Sequence, residues 1–273
     1  MIKIFWSVIV FAVLLPVGLS SQTIFKARRP GAMTGSQFVN HVAAMGSVSR
    51  DSVAFKEISE GNMPSWLTRP VTVTDTFADA DGILHQVTFY TLPDFIAIGS
   101  DDDFFRVPLL PGTAWKIAEL YGAILPTCKM SHIIHRFSEV KMEPHPMTPD
   151  STMTTVPVFA RHDSIIEAQR IEKGDAIGHL IAGHKKDIVI TNRMNTESGR
   201  LYIYGWHYPD GKPIQQLTGV HYDGYVDYSH GTRLVLDTAI VDGKKCSIKE
   251  LLGHPVLYAL FSDEDGPFTN MGY

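Results

Sequence analysis

Residues 69–92 read RPVTVTDTFADADGILHQVTFYTL. Two runs within it, RPVTVTDTF and ILHQVTFYTL, alternate apolar and polar residues and are rich in β-branched side chains. A period of two puts every second side chain on one face, so each run predicts a strand with one buried face. The residues between them, Asp79-Ala80-Asp81-Gly82, are turn formers, and Gly82 can take a positive φ without steric cost. The stretch therefore predicts two strands joined by a tight turn.

Working outward, FIAIGS (95–100) and FFRVPL (104–109) predict shorter strands around the acidic run Asp101, Asp102 and Asp103. Those three carboxylates read as a solvated turn paired with Arg106, because adjacent carboxylates cannot all face one cation. On the N-terminal side, QFVNHVAAMGSV (37–48) predicts a helix capped by Thr34 or Ser36. A second helix near SVAFKEISE (52–60) is broken by Gly61, Asn62 and Pro64. C-terminal to the hairpin, helices are predicted over TAWKIAELYGAI (113–124), over CKMSHIIHRFSEV (128–140) with Thr127 as cap, and over HDSIIEAQRIEKG (162–174). Residues 141–157 read as a loop. Strands return in HLIAGHKKDIVITNR (179–193), RLYIYGWHY (200–208) and TRLVLDTAIVDG (232–243), and a short helix, SIKELLG, follows. This order lacks regular βαβ units, so the expected class is α+β: a mixed, mainly antiparallel sheet with flanking helices in a single domain over 34–273. Residues 22–33 form an extended lead-in.

Composition narrows the function. The chain has 273 residues, 44% hydrophobic and 19% charged, with a net charge of -5. A general nucleic-acid binder would be basic, so nucleic acid is not an expected partner. Lys3 precedes the uncharged run IFWSVIVFAVLLPVGL (4–19), and Gly18, Ser20 and Ser21 are small. That is the pattern of a signal peptide over 1–21. It implies export to the periplasm or the outside, with no membrane span after cleavage. Two cysteines, Cys128 and Cys246, exclude a cysteine-rich framework and leave a disulfide open.

Titratable residues concentrate late in the chain. Of twelve histidines, His179, His184, His207, His221 and His230 fall within one short window. GHKKD (183–187) sets His184, Lys185, Lys186 and Asp187 at the mouth of a strand. YGWHYPDG (204–211) sets His207 before a turn, beside Trp206 and Tyr208. HYDGYVDYSHGTRLV (221–235) adds His221, Tyr222, Asp223, Tyr225, Asp227, Tyr228, Ser229, His230 and Arg233. As a strand it would align His221, Asp223, Tyr225 and Asp227; as a helix, Asp223, Asp227 and His230. Gly224 and Gly231 favour an irregular loop, where site residues tend to sit.

Three chemistries fit. His221, Asp227 and His230 could hold a divalent metal such as zinc, with a bound water as nucleophile, although no HExxH spacing accompanies them. Without metal, a histidine near its ordinary pKa could move protons. In that case His184, His207, His221 and His230 would act as acids or bases, Asp187 and Asp227 would orient them, and Tyr228 would donate a proton. Lys185, Trp206, Tyr225 and Arg233 would bind substrate. Finally, Cys128 at a helix start is a possible thiolate nucleophile, in a Cys, His, polar order similar to papain-like cell-wall peptidases, but its neighbours read better as structural. The segment SHGTR (229–233) resembles the SHGC-x-R signature of L,D-transpeptidases, with Thr232 where their cysteine stands; that departure removes the chemistry.

The expected function is a hydrolase acting on a cell-wall or extracellular polymer. A polysaccharide lyase using His/Tyr chemistry is one alternative. A non-catalytic protein binding a glycan or peptide through its aromatic residues is the other. Taken jointly, GSDDDFFR, LPTCKM, AGHKKDIVITNR, YGWH and YVDYSHGTR resemble a group of exported bacterial proteins, and the likeness spans about residues 90–240. The resemblance implies export and a bacterial origin, but no reaction.

Overall fold

The hairpin of residues 69–92 forms as the alternation predicts. The computed structural model describes residues 24–174 and 177–273; the segment expected to be a signal peptide lies outside the described residues. In chain order the helices are α1 (Gly35–Val42), α2 (Ser47–Ser59), α3 (Pro111–Leu120), α4 (Cys128–Phe137), α5 (Val156–Glu172) and α6 (Ile248–Leu252). The strands are β1 (Val71–Ala78), β2 (Leu84–Thr91), β3 (Ala97–Gly99), β4 (Phe104–Arg106), β5 (Ala123–Ile124), β6 (Val140–Lys141) and β7 (Ile181–Ala182). They continue with β8 (Lys186–Ile188), β9 (Arg200–His207), β10 (Pro213–Tyr222), β11 (His230–Gly231), β12 (Val235–Val241) and β13 (Lys244–Cys246).

β1 and β2 pair antiparallel from Val71↔Thr91 to Ala78↔Leu84. Their alternate residues Val73, Phe77, Val87 and Phe89 are buried, which is why the register holds: a one-residue slip would expose all four. At the turn, the Asp79 carboxylate accepts the amides of Asp81 and Ile83, each at 2.9 Å. β12 adds to the free side of β2, and β13 and β5 both pair with β12. A second sheet has the order β10-β9-β8-β11, antiparallel except for β11 against β8. Residues 230–235 run from β11 straight into β12. The segment that carries the titratable residues thus joins the two sheets.

Among the described residues, six helices and thirteen strands make one α+β domain with mostly antiparallel pairing. Thr34 caps α1 in a reciprocal pair with Gln37, and Thr127 caps α4 through the Met130 amide. No helix of the described residues is long and apolar enough to cross a membrane.

Some boundaries differ from those expected. The helix predicted over 37–48 stops at Val42, and extended backbone at Gly46 starts α2 afresh. α5 begins at Val156, earlier than expected, because Pro157 is tolerated in a first helical turn. The strand predicted over 179–193 is split into β7 and β8. Gly183 between them has φ 103°, and a Cβ there would lie 2.3 Å from the Met142 carbonyl oxygen. β10 was not foreseen: it lies at a sheet edge with no fully buried residue, so its sequence carries little alternation.

Candidate functional site

β8 is the divide on which the site is built. Its Lys186 pairs with His230 of β11 and Gly205 of β9, while Asp187 pairs with Gly231 and Tyr204. Neighbours on a strand point to opposite faces, so Lys186 and Asp187 serve two different surroundings. Lys186 is half-buried, with its ammonium 5.0 Å from the Trp206 ring centroid. Asp187 faces α4, where its carboxylate accepts the Ser131 hydroxyl.

On the Lys186 side, β10 and residues 223–229 bring four of the expected residues together. The rings of His221 and Tyr225 stack in parallel, centroids 4.0 Å apart and 13° from coplanar. His230 sits 5.9 Å from Tyr225 and 6.2 Å from His221, centroid to centroid. Tyr225 donates its hydroxyl to Asp227 Oδ2 at 3.1 Å, and Asp227 Oδ1 accepts the amide and hydroxyl of Ser229 at 2.8 and 2.6 Å. The Asp227 amide donates to His230 Nδ1 at 3.4 Å. That bond assigns the His230 proton to Nε2, which stands 3.8 Å from Asp227 Oδ2.

The charges follow from these partners. Burial alone would raise the Asp227 pKa, but His230, the Ser229 donors and Lys186 outweigh it and hold it at about 2. Asp227 is therefore ionised. Burial lowers His230 to about 4 and also lowers His221, against the pull of Asp227 on both. Burial, with Asp227 beside it, pushes the Tyr225 phenol upward. At neutral pH the cluster holds neutral imidazoles, a protonated phenol and one carboxylate.

The cluster has access to solvent through Tyr225. This residue lines a cleft of about 520 Å³ together with residues 43–47, Arg50, 154–156 and its own neighbours Gly224 and Val226. Loop 223–229 is irregular, as its glycines suggest.

The remaining expected residues go elsewhere. His184 is fully buried; its Nε2 lies 2.9 Å from Asp94, and burial lowers its pKa to about 4. Asp94 in turn takes Arg106 Nε at 2.7 Å, and Arg106 reaches Asp163 at 3.2 Å and Glu167 at 2.6 Å. Arg106 is therefore a core residue and not the partner of the acidic turn; Asp101 and Asp103 accept from Ser65 and Ser36 instead. Lys185 is buried, donates to the Tyr228 carbonyl at 2.7 Å and approaches His162 Nδ1 at 3.4 Å. Arg233 is buried over Phe95 and donates to the carbonyls of Leu92 and Ile181 at 3.0 and 2.8 Å. Both cations are thus committed to main-chain carbonyls in the core, and neither lines the cleft beside Tyr225. Trp206 is only 4% exposed and cannot offer a stacking face. The Tyr228 hydroxyl is tied to Met147, accepting its amide at 2.8 Å.

His207 is buried against His135, rings stacked 4.7 Å apart at 23°. Burial lowers His207 to about 3 and His135 to about 4. The bend that delivers His207 is strained: Gly205 has φ 98° and Trp206, which is not glycine, φ 53°. Such a residue costs on the order of 1–3 kcal/mol and persists only where its surroundings enforce it. Asp187, raised to about 6 by burial, lies between Ser131 and Arg233.

Two further expectations change. The trio His221, Asp227 and His230 does not converge as ligands: one ring faces Tyr225, and the other turns Nδ1 to a backbone amide. Among the described residues no group of three or more His, Cys, Asp or Glu could hold a metal ion. Cys128 does start α4, but burial pushes its thiol up, away from the thiolate a nucleophile needs. Both cysteines are free.

Sequence reasoning missed His162, His135, Ser131, Asp94 and Arg50, which come from other helices and loops; no spacing links them to the 184–233 window. Lys186, rather than the expected Lys185, is the cation acting on Asp227. Compared with known proteins, the chain matches no family model, no curated protein and no solved structure.

Proposed function

We propose that the protein is a secreted hydrolase of an extracellular or cell-wall polymer, working by metal-free acid–base chemistry in the cleft beside Tyr225. The observation that carries this is the stacked His221–Tyr225 pair, which Asp227 backs and whose tyrosine lines the cleft. His221 is neutral and half-buried, which suits a general base. It takes a proton from the attacking water as the water oxygen bonds to the substrate, and it returns that proton to the leaving oxygen as the scissile bond breaks. The Asp227 carboxylate supports the imidazolium formed in between. Tyr225 holds that carboxylate by its hydroxyl and supports the imidazole by its ring. Lys186, the half-buried cation acting on Asp227, would stabilise negative charge developing on the substrate.

The same His/Tyr pair suits a second reaction, elimination next to a uronate carboxylate. Its products would carry an unsaturated ring that absorbs in the ultraviolet, whereas hydrolysis yields none. The test is turnover of peptidoglycan and of neutral and uronate-containing polysaccharides by wild type, His221→Ala and Asp227→Asn. The proposal expects turnover of at least one polymer, without ultraviolet-absorbing products, and a loss of about 100-fold or more in both variants. Wild-type rates in both variants would refute it.

A further inference from the structure

The far side of the same cleft is built differently from the side that carries Tyr225. Residues 43–47 lead into α2, and residues 154–156 lead into α5, so two helices of 13 and 17 residues begin on one cleft. Neither start has a side-chain cap, and neither has an acidic residue in its first turn. The first α2 bond inside the helix is Arg50 N to Gly46 O, so the amides of Ser47, Val48 and Ser49 have no helical acceptor. The α5 start adds the Val156 amide. Helix starts concentrate positive potential, and two at one cleft add.

Arg50 supplies the second observation. It lines this cleft although it is only 2% exposed. Its Nη1 donates to the Thr154 carbonyl at 3.3 Å, and its guanidinium lies over the Phe159 ring at 4.8 Å. Among the described residues, Nε and Nη2 have no hydrogen-bond partner. These two are the side-on fork of a guanidinium, the pair that receives two oxygens of a carboxylate in parallel. Asp51 Oδ1 stands 4.0 Å from Nε, which balances charge without closing the fork. Among the described residues, no Asp or Glu lines the cleft. A buried donor left without an acceptor is costly, and a carboxylate entering the cleft would supply acceptors to both.

We propose that this end of the cleft is a carboxylate subsite: Arg50 Nε and Nη2, with the first amides of α2, hold a carboxylate of the substrate while Tyr225 and His221 face the bond to be broken. The inference rests on the cleft being the substrate site. A uronate and a peptide C-terminus carry the same group, and the probes separate them.

The test is a titration of ¹⁵N-labelled protein followed by amide and arginine Nε resonances. D-Glucuronate and N-acetyl-D-alanine are the probes, with D-glucose and N-acetyl-D-alanine amide as neutral counterparts. At least one carboxylate should shift Ser47, Val48, Ser49 and Arg50 Nε, and which one does so identifies the source. The neutral counterpart should not. Arg50→Lys should weaken that binding at least tenfold. Because Arg50 is buried, Gly46→Asp is the second variant. Gly46 has ordinary extended backbone, and a Cβ there meets nothing within 4 Å. Aspartate is also a favoured cap, so this variant folds with α2 strengthened and fills the anion position with its own carboxylate. Equal shifts from neutral and charged probes, binding of inorganic phosphate but of neither carboxylate, or wild-type binding by Gly46→Asp would each overturn the proposal. Carboxylate binding of this kind in a protein that turns over no polymer supports the subsite and removes only the hydrolase reading. Polymer turnover whose KM is unchanged in Arg50→Lys and Gly46→Asp removes the subsite and leaves that reading standing.

Discussion

The charges around Arg106 and those around Tyr225 are equally rich in hydrogen bonds, yet the two regions are put together on opposite lines. Arg106 is sealed: its partners Asp94, Asp163 and Glu167 surround it, and Asp94 passes the network on to His184. Lys185 approaches the same interior and is committed to the Tyr228 carbonyl. At Tyr225 the partners leave the cleft side open. Asp227, Ser229 and His230 lie behind, and the cleft lies in front. A buried ion network is weak evidence for net stability, but removing one member leaves uncompensated charge. A cluster with one open side can accept a substrate. What distinguishes structural from chemical polarity here is whether the network borders a cleft.

The largest effect that would break this comparison is on folding. Arg106→Met should destabilise the protein by about 3–5 kcal/mol, read from urea denaturation, because three carboxylates lose their common partner. A cost under about 1 kcal/mol would mean that the network is not the brace described. Acid comes next. His184, His135 and His207 have folded pKa values of about 4, 4 and 3. Below about pH 6.5 the unfolded chain binds protons that the folded chain refuses, so stability falls as pH drops from about 6.5 toward those values. Each group contributes on the order of 3–5 kcal/mol to that loss. His207→Phe keeps the stack on His135 and should flatten the acid limb; an unchanged limb would contradict the assignment. Asp187 has the opposite sign. Its folded pKa of about 6 lies above the ordinary value, so its contribution is lost as pH rises from about 4 to 6. Asp187→Asn should gain on wild type across that window, measured by denaturation at several pH values.

Smaller effects sharpen the other half. Tyr225→Phe keeps the stack on His221 and removes the hydroxyl from Asp227. Stability should change by about 1 kcal/mol, while turnover falls by roughly 10–100-fold because Asp227 is no longer fixed. Equal losses in a sealed-core variant and in this one would erase the contrast.

Much of the fold could be read from residues 69–92, because a half-buried antiparallel pair writes its burial into a period of two. The caps at Thr34 and Thr127 were legible for a similar local reason. β10 was not, since an edge strand with neither face fully buried leaves no such imprint. Within the site, the stretch 221–235 announced its own cluster: His221, Tyr225, Asp227 and His230 meet because one irregular loop folds them together. His184, Lys185, Trp206 and Arg233 carry the same chemistry on paper, but their roles were set by Asp94, Tyr228, Lys186 and Phe95, residues far away in sequence. Local pattern reports which side chains are polar. Only the three-dimensional arrangement reports which are already spent. Arg50 makes the same point in reverse, as an unremarked helix residue with two donors left over.

The most direct test of the central claim is single-turnover kinetics of wild type and His221→Gln on the polymer that the wild type degrades, with thermal stability measured alongside. His221→Gln should turn over about 100-fold or more slower than wild type, with a melting temperature within a few degrees of it. A rate equal to wild type would place the chemistry outside the cleft beside Tyr225 and contradict the account.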